Sequence, residues 1–149
     1  MSTENNKELL RRFTECWNQG NLALIEEFLA PDFIHHDPDR PDVRSREDYK
    51  RWFAESHHLF PGLHLTLEDL IAEADRVVAR WTFRGTNTGD FETPTPSPAT
   101  GKQVITTGIN IFLIKDGKIA EEWFQEDTMG MMQQLGFLPV PEQASESPR

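Results

Sequence analysis

Residues 61–83 read PGLHLTLEDLIAEADRVVARWTF, and the fold turns on how that run is divided. Leu63, Leu65 and Leu67 alternate with His64, Thr66 and Glu68, while Val77, Ala79, Trp81 and Phe83 alternate with Val78, Arg80 and Thr82. A period of two sends alternate side chains to opposite faces, so both halves read as strands, and Ala74-Asp75-Arg76 is the turn that pairs them. Pro61-Gly62 marks where this pattern begins.

Upstream the period is helical. Leu9, Leu10, Phe13, Cys16 and Trp17 recur at spacings of three and four, and Asn18-Gln19-Gly20 supplies the stop. A second, shorter helix carries Leu22, Leu24, Ile25, Phe28 and Leu29 and is expected to end before Pro31, because proline disfavours helix in the preceding residue. Phe33-Ile34-His35-His36 reads as a brief extended segment and DPDRPDVR, 37–44, as a loop. Ser45 with Asp48 three residues on is a capping-box signature for a third helix that buries Tyr49, Trp52 and Phe53.

Downstream, TPTPSPATG at 93–101 contains three prolines and cannot donate a regular ladder, so it is expected to be a long loop between strands. Val104–Ile114 and Ile119–Gln125 are two further strands, joined through the hairpin signal Asp116-Gly117. A short closing helix carries Met129, Met132 and Leu135, with Gly136 at its end. Helices first, then antiparallel strands, then a closing helix is the α+β arrangement, with helices gathered on one face of the sheet. If that sheet curves, its concave face and the helices enclose a cone-shaped pocket. One domain over 1–138 and a flexible tail over 139–149 are expected.

The chain has 149 residues with 25 Asp and Glu against 15 Lys and Arg, a formal charge of −10. That balance argues against nucleic acid and anionic membrane as partners and favours a neutral or cationic small molecule. The single cysteine, Cys16, allows no intramolecular disulfide, and a cytoplasmic compartment is the expectation. No stretch approaches the roughly 18 apolar residues of a spanning helix, and residues 1–19 lack a signal peptide's apolar core. The Walker A, GxGxxG, GxSxG, HExxH and paired CxxC patterns are missing, which disfavours nucleotide cofactors and covalent serine or cysteine catalysis.

Candidate chemistry gathers at 121–130, EEWFQEDTMG, where four carboxylates surround an indole between a strand and a helix. If Trp123 faces the interior with Ile119, the alternate-residue rule sends Glu121, Gln125 and Asp127 that way too. Asp127 then stands at a pocket edge, partly dehydrated and with a pKa raised towards the range useful for proton transfer. The alternative, which spacing alone favours, is that Asp127 caps the closing helix. His35-His36-Asp37 does not read as a metal site, because strand neighbours point to opposite faces and no third ligand is spaced to join them. His36 is expected either to reach the cavity or to satisfy a loop carbonyl, and Asn110, in an apolar strand, either to orient a ligand or to bond a neighbour. His57, His58 and His64 read as polar surface residues, with His58 a candidate for a pocket rim.

IHHDP at 34–38, the run 60–91, PATGK at 98–102 and DGKIAEEWFQEDTMGMMQQLG at 116–136 together resemble the SnoaL-like polyketide cyclases of the NTF2-like superfamily. The likeness spans about Lys7 to Gly136 and is carried by the order and spacing of these segments. It implies an α+β cone in which a curved antiparallel sheet wraps a pocket covered by N-terminal helices. It also implies a homodimer or homotetramer, no metal or organic cofactor, and a hydrophobic or aromatic substrate. In the cyclases an aspartate in an E-x-W-x-x-x-D pattern is the acid/base for an intramolecular aldol closure of a polyketide ester. Glu121, Trp123 and Asp127 match that pattern, so the resemblance gives Asp127 the proton-transfer role. His36 matches the histidine of an H-[ND]-P element. Many relatives carry histidine in the segment that reads GTNTG here; Asn87 cannot transfer a proton and is left as a substrate-binding candidate. Trp123, Phe33 and Trp81 are expected to stack on a flat ligand, and His36 or Asn110 to hydrogen-bond an enolate oxygen. The alternatives are a non-catalytic small-molecule-binding module and an isomerase or epoxide-hydrolase-like enzyme on the same fold.

Overall fold

The computed structural model describes residues 2–92 and 94–141. Helix α1 (Thr3–Gln19) begins where the Ser2 hydroxyl accepts the Asn5 N–H and ends at Gly20, whose φ of 67° satisfies the last carbonyls in the left-handed conformation. The second helical segment is broken into a 3₁₀ turn (Leu22–Leu24) and a single turn, α2 (Ile25–Phe28). Strand β1 (Leu29–His36) starts earlier than the extended segment expected at Phe33 and runs through Pro31, which an edge strand tolerates.

The capping box forms as the Ser45/Asp48 spacing requires, starting α3 (Arg46–Leu59), which buries Tyr49 and Phe53. Strands β2 (His64–Glu73) and β3 (Arg76–Thr86) make the hairpin read from 61–83, with Ala74 at φ 53° in its turn. Strands β4 (Gln103–Lys115) and β5 (Lys118–Glu126) pair through Asp116 and Gly117, both at positive φ, the geometry a two-residue Asp-Gly turn demands. Helix α4 (Thr128–Leu135) closes the chain at Gly136. Residues 139–141 of the expected tail carry no regular structure, and 142–149 lie outside the described residues.

The five strands lie in the order β1-β5-β4-β3-β2. Four of them are antiparallel, and β1 joins at the edge parallel to β5, so the curved sheet is mixed at one side. The helices pack across its concave face around one continuous core that includes Leu10, Phe13, Trp17, Tyr49 and Phe53 from the helices and Val77, Ala79, Phe112 and Phe124 from the sheet. This is the α+β cone expected from the sequence.

Candidate active site

The position of each side chain on β5 is set by an irregularity in the ladder. Ile119 pairs with Ile114, but Glu121 pairs with Leu113, so the register slips around Ala120. A bulge of this kind reverses the alternation beyond it. Ile119 points into the core, yet the inward residues further along are Glu122 and Phe124, both buried. Trp123, expected to share Ile119's face, therefore turns to the outer face of the sheet. There it stacks on His36 with ring centroids 5.3 Å apart, and the Arg76 guanidinium lies 5.2 Å from its ring centre. His36 follows it, with Nε2 2.5 Å from Glu121 Oε2 on the exposed side. The expected pocket role of Trp123 is corrected by this parity change, and that of His36 by the alternation of β1, which turns Phe33 and His35 inward and His36 out.

Phe33 does face inward, but it is spent in the core, edge-on to Tyr49 at 5.5 Å, and does not line the cavity. Asn87 is fully buried and has its amide consumed by the 87–102 loop. Its Nδ2 donates to the carbonyls of Leu59 and Gly89, and its Oδ1 accepts from the backbone and hydroxyl of Thr100. It staples that loop to the end of α3. Asp127 is exposed, and its Oδ1 accepts the Gly130 N–H at 2.9 Å as the N-cap of α4. Gly130 makes room for that carboxylate, since a Cβ there would stand 2.2 Å from Asp127 Oδ2.

What the fold encloses is a cavity of about 930 Å³ between the concave sheet and α1, α3 and α4. Phe13, Trp17, Trp52, Trp81, Phe112 and Phe124 give it an aromatic wall, so of the expected ligand contacts Trp81 and Asn110 are the two the structure brings together. Trp81 lies flat across β4 because residue 108 is glycine: a Cβ there would come within 2.1 Å of the indole. Asn110 donates from Nδ2 to Glu122 Oε2 at 2.8 Å, and Glu122 Oε1 lies 3.1 Å from His35 Nδ1. All three side chains are buried. Two partners on one carboxylate satisfy most of what burial would otherwise leave unpaired.

The second carboxyl in the wall is Glu126, one residue before the cap. Gly108 pairs with it on one side and with Trp81 on the other, so Trp81, Gly108 and Glu126 form a row across three strands. Burial pushes the Glu126 carboxyl up to about 7, and the charges of Asp37, Asp39 and Asp127 add to the rise. Asp37, at the mouth, is also raised, again by burial first. Thr128 links this end of β5 to the β1–α3 loop by donating to Asp39 Oδ2 at 2.6 Å.

Sequence reading missed His35, Glu122 and Glu126. For the two glutamates the available signal was that each stands two residues from Phe124, on its face, a pattern set aside when Trp123 was placed inside. His58 does reach the cavity rim, with Nε2 3.1 Å from the Asp90 carbonyl, whereas His57 packs on Trp17 at 5.7 Å and is driven below its ordinary pKa by burial. Among the described residues no group of three or more His, Cys, Asp or Glu side chains is placed to hold a metal ion. No helix among them is long and apolar enough to cross a membrane.

A bent sheet wrapped by helices around an aromatic chamber, with carboxyls in its wall, is the architecture of the NTF2-like cone class. The SnoaL-like polyketide cyclase family matches residues 7–135, and the chain belongs to that family. It is 27% identical over 147 residues to aklanonic acid methyl ester cyclase DauD of Streptomyces sp. (strain C5), covering 91% of this chain and 84% of that one. Its structure is similar to TsrD from Streptomyces laurentii, with a TM-score of 0.81, 32% identity, and 93% and 99% of the two chains covered. It is also similar to AclR, a hydroxylase candidate from Streptomyces galilaeus, with a TM-score of 0.82, 28% identity, and 97% and 88% covered.

Proposed function

We propose that this cyclase-family protein closes a ring in a polyketide-like small molecule by acid/base chemistry, with Glu126 rather than Asp127 moving the proton. What supports this is the position of the Glu126 carboxyl, in the wall of an aromatic chamber large enough for a fused-ring ligand and with its pKa raised to about 7 by burial. A base poised near neutrality serves proton transfer better than one fixed at the ordinary carboxylate value. Asp127 is committed to the helix cap and lies outside the cavity lining.

In the proposed step, ionised Glu126 removes a proton from a carbon flanked by carbonyls. The resulting enolate carbon attacks a second carbonyl of the same molecule, forming one C–C bond and an alkoxide. Glu126, now COOH, returns the proton to that alkoxide, so the residue ends as it began. Trp81, Trp52 and Phe124 hold the flat ligand folded, and this positioning supplies several kcal/mol of the barrier. Asn110, anchored by Glu122, is placed to orient a polar group of the ligand.

Glu126→Gln preserves shape and removes the base. With the methyl ester for which the Streptomyces relative is named as test compound, turnover is expected to fall by about 10²-fold or more while ligand binding persists. Asp127→Asn is expected to keep turnover within a few fold. The reverse pattern returns the role to Asp127, and binding without turnover in the unmodified protein supports the non-catalytic binding module instead.

A further inference from the structure

The charges lining the cavity are not balanced. Asp37, Asp39, Asp90, Glu92 and Glu126 stand in its wall and mouth, and none of them has a salt-bridge partner among the described residues. The cations there are Arg40 and Arg51. Arg40 is held by Asp42 at 2.9 Å and Glu55 at 2.8 Å, and Arg51 is paired with Asp48. The Arg40 guanidinium is therefore spent inside the protein, while Arg51, 71% exposed, sits at the rim with one carboxylate partner.

The deeper wall adds a second, independent observation. Asn110 is 6% exposed, its Nδ2 is committed to Glu122, and its Oδ1 has no donor among the described residues. The chamber thus offers hydrogen-bond acceptors from mouth to floor, one unpartnered donor in Trp81 Nε1, and carboxylates that outnumber its cations. A low-dielectric cleft lined by one sign of charge focuses its field on the ligand. A carboxylate or phosphate entering here meets a net negative field and finds few donors to replace its hydration, whereas an ammonium group gains both charge and acceptors.

We propose that the pocket rejects anionic ligands and selects a substrate whose flat apolar body carries a protonated amine, held at the mouth by Asp37 and Asp39. These two carboxylates flank Glu126: their charges act on it, and Thr128, two residues further on, is bonded to Asp39. An amine docked there orients the rest of the molecule inward along the row of Glu126, Gly108 and Trp81. The inference rests on the cavity being the ligand site and deepens that reading by naming the substrate's charge.

Three naphthalene probes of matched shape test it by calorimetry: 2-naphthoate, methyl 2-naphthoate and 2-(aminomethyl)naphthalene in its protonated form. The amine is expected to bind roughly tenfold more tightly than the ester, with the carboxylate weakest. In Asp37→Asn/Asp39→Asn the advantage of the amine shrinks to within about threefold while the ester's affinity holds. Because Asp37 also accepts the Asp39 N–H at 2.9 Å, that variant risks misfolding, and a salt series on the unmodified protein supplies the second measurement. Raising salt from about 0.02 M to about 0.5 M should erase the amine's advantage and leave the ester unaffected. Equal binding of all three probes, a carboxylate as tight as the ester, or an advantage that survives salt and both substitutions overturns the charge selection while the pocket reading stands. Failure of every probe to bind overturns both.

Discussion

At Glu126, burial and the neighbouring carboxylates raise the folded-state pKa to about 7, above the ordinary value of 4.5. The folded protein therefore holds a proton across that interval that the unfolded chain has released. Stability from this group is fully present below about pH 4.5 and is lost as pH rises through about 7. Rate has the opposite slope, because the proposed base must be ionised: kcat/KM is expected to rise through the same region and level off above it. Thermal melts and rate profiles across pH 4–8 check both, and Glu126→Gln should flatten the melt profile in that interval. A melting temperature that climbs from pH 5 to 8 because of this residue would contradict the half-buried, raised carboxyl. Asp37, raised by burial too, contributes with the same sign. Sequence alone could not choose between Glu126 and Asp127, since adjacent carboxylates at a strand-to-helix junction differ only in which of them turns inward.

Among the elements, what short-range chemistry dictates was readable and what depends on ladder register was not. The Ser45/Asp48 box, the Asp116-Gly117 hairpin and the Gly20 and Gly136 stops all follow from local rules, and all formed. The slip around Ala120 leaves no signature in EEWFQEDTMG, so the alternate-residue rule carried Trp123 and Asp127 to the wrong side of it. Helix α2 is similarly shortened, because Leu29 leaves the helix to begin β1 and reaches the core as strand. Two substitutions probe how these elements hold the chamber. Asp127→Ala should cost about 1 kcal/mol in denaturant unfolding by removing the cap of α4, with its effect on turnover small. Gly108→Ala drives a methyl into the Trp81 ring, 2.1 Å from the ideal Cβ, and is expected to cost about 1–3 kcal/mol and to weaken ligand binding by displacing the indole. An unchanged melting point and unchanged ligand binding in Gly108→Ala would show that the indole and the Gln125 carbonyl, 2.6 Å from the same Cβ, both give way at little cost.

Over the whole molecule, the α+β cone was legible from the order of helical and two-residue periods, but the parallel seating of β1 beside β5 was not, because pairing across some 90 residues has no local signal. That seating matters for assembly. It extends the outer face of the sheet to Ile34, and together with Ile105, Ile109 and Ile111 of β4 it leaves large apolar side chains in water, Ile109 being 51% exposed. The same face carries the stacked pair of His36 and Trp123, whose rings offer further apolar area beside Glu121 and Arg76. Exposed apolar side chains gathered on one sheet face suit a second copy of this chain, so we propose a face-to-face contact of two sheets about a two-fold axis as the unit of the homodimer or homotetramer expected from the resemblance. The formal charge of −10 opposes that association at long range. Two copies repel, and screening relieves the repulsion without weakening the apolar contact. The expected outcome is therefore a dimer whose dissociation constant falls as salt rises, measured by sedimentation velocity. Ile109→Lys, which places a cation in the centre of the patch and leaves the cavity side of β4 untouched, should shift the species to monomer with little change in melting temperature at low protein concentration. A protein that sediments as a monomer at every salt and concentration would show that these isoleucines are simply exposed.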